Sequence, residues 1–198
     1  MMRHESVLLS VCLSAAMAAL AVPASGADVH GSVPTKTGSA SPAPAARHQA
    51  NTIFQEIQAQ AVQALDHADA LLTAARSPGY SWSSDAEQLV ALEDEVNAMG
   101  KMVPRLEAIR GQVAPWQQGV IDRIAQEVVL MADNTQDAIV FGGGHKGELW
   151  SPTYQKYASN LYNEARALTN SVEQAVDYAQ VTKEYQTLTH ELGVRKSS

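Results

Sequence analysis

The 198 residues carry a formal charge of −7 and one cysteine, Cys12. An acidic chain with no basic run is a poor ligand for nucleic acid or for an anionic membrane. A single thiol allows no internal disulfide and no multi-cysteine metal site.

The first residues read as an address. Arg3 supplies positive charge, Val7 to Val22 is an apolar run, and Ser25-Gly26-Ala27 places small residues where a signal peptidase reads. Residues 1–27 are therefore expected to be a signal peptide, and the chain to be exported, to the periplasm or the medium. The apolar run of about 16 residues is short of the roughly 20 that a bilayer span needs, so no membrane span is expected after cleavage. Cleavage removes Arg3 and Glu5, one charge of each sign, so the mature charge stays at −7. It also removes Cys12, and with it any cysteine nucleophile. Residues 28–47 then turn to Gly, Ser, Thr, Pro and Ala, with little to bury against the entropy of ordering. They read as a flexible leader, and residues 48–198 as one helical domain of ordinary size.

Helix one is expected from Gln49 to Ala75, with Ile53, Ile57, Ala61, Ala64, Ala68, Leu71 and Ala75 on one face. Ser77-Pro78-Gly79 ends it. Ser84 with Glu87 looks like a capping box opening helix two. Leu89, Leu92, Val96, Met99, Val103 and Leu106 then follow at alternating steps of three and four, a narrow seam that packs lengthwise against other helices. Pro104 lies inside this helix and crowds the carbonyl of Gly100, which predicts a bend rather than a break.

Pro115 suits the first position of helix three, expected to reach Phe141 and to stop at Gly142-Gly143-Gly144. Its core residues are Val120, Ile121, Ile124, Val128, Met131, Thr135, Ala138 and Ile139. Val129 and Leu130 fall on the wet side, which marks a contact with a partner or with another part of the chain. Ser151-Pro152 opens helix four, and nothing stops it before Gly193. Its core stripe is Tyr154, Leu161, Ala165, Leu168, Val172, Ala175 and Ala179. A second stripe, Tyr178, Val181, Tyr185, Leu188 and Leu192, is rotated by more than a quarter turn. Either the helix overhangs the core and buries this stripe against the N-terminal extension, a second copy or a different protein, or it breaks near Tyr178 and folds back. Trp82, Trp116 and Trp150 each lie at a helix start, where tryptophans cap cores. The fold class expected is all-α: an up-down-up-down four-helix bundle with a long C-terminal helix, preceded by the signal peptide and the leader.

No catalytic, cofactor-binding or metal-ligating residue stands out, and no cofactor is expected. There is no CxxCH, no ExxH pair, no GxSxG and no HExxH. Gly142 to Gly147 lacks the order of a phosphate loop and follows a helix, yet His145 and Lys146 on this loop are candidates for a contact. Glu127 and Asn134 flank the core of helix three and are expected to meet as buried polar partners. The expected architecture resembles that of exported four-helix cytochromes, stress chaperones and sensor domains. The residues do not follow: Leu168-Thr169 leads to Val172 where the chaperone motif LTxxQ has glutamine, and no family is assigned. The leading expectation is an exported, non-enzymatic bundle that binds another protein or its own copy, through Tyr178, Val181, Tyr185, Leu188 and Leu192 or through Val129 and Leu130. The alternative is a carrier of a small ligand, haem or metal in the bundle interior.

Overall fold

The computed structural model describes residues 43–77, 79 and 81–193; the expected signal peptide, 1–27, and most of the expected leader lie outside them. Four helices account for the fold: α1 (Pro44–Ala75), α2 (Trp82–Ile109), α3 (Pro115–Gly144) and α4 (Pro152–Glu191), with a 3₁₀ turn at Arg110–Gln112. No strand occurs among the described residues. α1 and α3 each pack against both α2 and α4, so the four apolar faces close on one core.

That core follows the spacing of the sequence. Ile53, Phe54, Ile57 and Leu71 of α1, Leu89, Leu92, Met99 and Leu106 of α2, Ile121, Ile124 and Met131 of α3, and Tyr154, Leu161 and Leu168 of α4 are fully or almost fully buried. Each large aliphatic side chain so placed contributes about 1.5–3 kcal/mol. The alanines between them on α1, from Ala50 to Ala75, let neighbouring backbones approach closely. Val103, expected in the seam of α2, is only partly covered.

Three boundaries differ from the sequence expectation, each for a local reason. α1 begins at Pro44, inside the expected leader: proline takes the first helical position, Ala46 is buried, and the Ala43 amide donates to the Gln112 carbonyl at 3.0 Å. The cap of α2 is Ser81 rather than Ser84; the Ser81 hydroxyl accepts from the Ser84 amide at 3.4 Å. α3 runs through all three glycines to Gly144. Gly142 is buried beneath the Trp82 indole, and a Cβ there would collide with the ring. Glycine at 142 therefore makes room for Trp82, instead of stopping the helix. Pro104 interrupts no helix, and α2 continues to Ile109.

Hydrogen bonds tie helix ends together. At the start of α3, the buried Gln117 takes the Ala114 amide on Oε1 (3.1 Å). Its Nε2 donates to the Arg47 carbonyl (3.2 Å) and to Asn51 Oδ1 (2.8 Å) on α1. Gln155, at the start of α4, donates to the carbonyl of Ala75, the last residue of α1, at 3.1 Å. Arg105 near the end of α2 reaches Glu56 of α1 at 3.0 Å. This ion pair is exposed, so its weight is small.

Candidate functional site

α4 has 40 residues, about 60 Å of helix, against 28 and 30 residues for α2 and α3. Its last fully covered residue is Ala175. The remaining turns stay helical to Glu191, capped by Leu192, so α4 does not break near Tyr178. Along this overhang the phase of the core stripe continues as Ala179, Thr182, Gln186 and Thr189, small or polar residues. The large apolar side chains sit one position earlier. Tyr178, Val181, Tyr185, Leu188 and Leu192 are all exposed, from 54 % at Tyr178 to 75 % at Leu192.

Tyr178 is where the row is rooted. Its ring meets Trp116 edge to face, centroids 4.8 Å apart and planes at 68°. Trp116 is the second residue of α3, so no residue of that helix extends far beyond this pair to cover the rest of the row. Between the overhang, the start of α1 and the start of α3 lies an open cleft of about 990 Å³. Arg47, His48, Gln117, Trp116, Lys183 and Leu188 are among the residues lining it. This cleft was not legible in the sequence, because its walls come from three separate segments and no motif joins them.

The other flagged residues lie elsewhere. Val129 and Leu130 are exposed on α3, about 14 residues or 21 Å along the helix from its start, and no other described segment overlays them. His145 follows α3 directly: its ring stacks on Phe141 with centroids 4.3 Å apart, and Nδ1 donates to the Phe141 carbonyl at 2.9 Å. The same carbonyl also accepts the His145 backbone amide at 3.0 Å, so ring and backbone close the helix end together. Lys146 is exposed beside it. Trp150 is 64 % exposed and covers no core, whereas Trp82 and Trp116 do pack against it.

Two polar clusters lie within the bundle wall. Asn134 pairs with Glu164 of α4, donating to its Oε1 at 2.7 Å, and Asn160 donates to Asn134 Oδ1 at 3.2 Å. The expected partner, Glu127, instead acts on Glu164 as a neighbouring like charge. Burial, then Glu127, push the Glu164 carboxyl up to about 7. In the second cluster the buried Tyr154 phenol lies beside the buried Asp85 carboxyl. Asp85 Oδ2 and the Tyr154 oxygen make no well-formed hydrogen bond. Burial raises both groups above their ordinary values. Asp85 stands in the first turn of α2, where the helix dipole favours a carboxylate.

Among the described residues no three His, Cys, Asp or Glu side chains gather into a metal-holding group. No helix there is long and apolar enough to cross a membrane. No known family model matches the chain, and no curated protein and no solved structure is significantly similar to it.

Proposed function

We propose that this is an exported, non-enzymatic helical-bundle protein whose role is to hold another protein, or a second copy of itself, on the projecting end of α4. One observation carries the reading: a continuous helix runs about 16 residues past its last covered position and keeps a row of five large apolar side chains in solvent. Such a row is costly to leave wet and ordinarily marks an interaction surface. Export is supported by Arg3, the apolar run to Val22 and the small residues at Ser25 to Ala27. The up-down-up-down course of the helices belongs to the same proposal. It is supported by Gln117 joining the starts of α3 and α1, by Gln155 joining the start of α4 to the end of α1, and by Arg105 near the end of α2 pairing with Glu56 in the first half of α1.

The test is in-cell photocrosslinking. A photoreactive residue in place of Tyr185 is expected to give an adduct of defined mass, while the same residue in place of Val90, exposed on α2, gives none. Size-exclusion with light scattering then separates a second copy from a different protein. Equal, diffuse labelling from both positions would remove the overhang as a contact surface.

A further inference from the structure

The flanks of the exposed row say what kind of partner it takes. Tyr178, Val181, Tyr185, Leu188 and Leu192 recur at steps of three, four, three and four, the seam of a two-helix coiled coil. One edge of that seam is acidic: Asp177, Glu184 and Glu191 each stand one residue before Tyr178, Tyr185 and Leu192. The other edge is Thr182 and Thr189. Their hydroxyls donate back to the carbonyls of Tyr178 and Tyr185, and so are engaged within the helix. The two bases of this stretch, Lys183 and His190, lie on the side of the helix away from the seam.

This arrangement disfavours the two occupants nearest to hand. A second copy running antiparallel would set acidic edge against acidic edge, and like charges across a seam repel. A parallel copy would face carboxylates with threonines, gain no ion pair, and bring two bodies of charge −7 to the same end. The chain's own residues 28–42 offer only Val29 and Val33 as large aliphatics, too few to cover five positions. What fits is a foreign helix with its own apolar row and with lysine or arginine along the edge that meets the carboxylates.

We propose that the α4 overhang is the seat of a basic amphipathic helix from another protein; this rests on the docking role given above. Two heptads are short of the three or four that sustain a coiled coil alone, so the complex is weak and its selectivity is electrostatic.

The probes are two labelled synthetic helices with leucine at both seam positions, one with lysine and one with glutamate along both edges. Their binding to the purified full chain is read by fluorescence anisotropy. The lysine helix is expected to bind at least about tenfold more tightly, and the ratio to shrink as salt shortens the screening length. The variant Asp177→Lys, Glu184→Lys, Glu191→Lys is expected to reverse the preference. Lys183→Glu with His190→Glu, on the back of the helix, changes net charge without doing so. Equal binding of both helices, abolished by Leu188→Glu, overturns the basic partner but leaves the docking face standing. Binding of neither helix, together with silent crosslinking at Tyr185, overturns both proposals. A concentration-dependent dimer that Leu188→Glu dissolves makes a second copy the occupant and overturns the foreign one.

Discussion

Residues 152–175 and 176–191 of α4 form one unbroken helix with the same three-and-four apolar rhythm, yet only the first part is covered. In the first, Leu161, Ala165, Leu168 and Val172 are fully buried; in the second, Val181, Tyr185 and Leu188 stand in water. The spacing alone is therefore silent on burial, although the row from Tyr178 onward is rotated by one position from the core stripe. What decides is whether another helix runs alongside, and α3 begins too late to do so. The sharpest way to break this comparison is a matched pair of truncations. Leu161→Ala is expected to cost about 2–5 kcal/mol, the loss of a packed side chain plus a cavity. Leu188→Ala is expected to stay within about 0.5 kcal/mol, as exposed substitutions do. Urea denaturation of the isolated chain measures both, and equal costs would mean that the overhang is covered after all.

The closed and open ends of the bundle differ in the same way. Trp82 lies over Gly142 at one end, whereas the other opens into the cleft. Gly142→Ala is expected to cost about 1–3 kcal/mol through overpacking against the indole, and to cost less in a Trp82→Ala background. Gly143→Ala, with only distant contact to that ring, serves as the control. A smaller effect is expected in the wall between α3 and α4. The Glu164 carboxyl is raised from about 4.5 to about 7 in the folded chain. Its contribution to stability is then full below the unfolded value and is lost as pH rises toward 7. Discounted for a half-buried site, this amounts to about 1–2 kcal/mol. Glu164→Gln should flatten that part of the stability–pH profile, and an unchanged slope would place its origin in another group.

The sequence revealed the parts of this fold that depend on one helix at a time. The seam from Leu89 to Leu106, the faces of α1 and α3 and the projecting row of α4 all follow from spacing. Features that need two elements at once were hidden. Three glycines after Phe141 look like a stop, and only the indole of Trp82, about 60 residues earlier, shows why Gly142 belongs inside a helix. Asn134 is paired by α4 instead of by Glu127, about two turns away on its own helix, because a residue on the flank faces its neighbour. The start of α1 was concealed by Pro and Ala, residues as fit for a leader as for the first turn of a helix.

The junction between the two parts of α4 offers the mildest test and the most local one. Tyr178 is half exposed, and its one aromatic contact among the described residues is the edge-to-face pair with Trp116. A pair of this geometry is worth about 0.5–1.5 kcal/mol beyond the area it covers. Tyr178→Ala should therefore lower global stability by no more than that, because the core stripe ends at Ala175. Its larger effect should be regional. Without the Trp116 contact the overhang has only its own hydrogen-bond ladder to hold it, and a free helix of that length is marginal in water. Amide exchange between Val181 and Glu191 should speed up while exchange from Leu161 to Val172 is unchanged. If both stretches accelerate together, α4 opens as one unit, and the boundary drawn at Ala175 does not divide its stability.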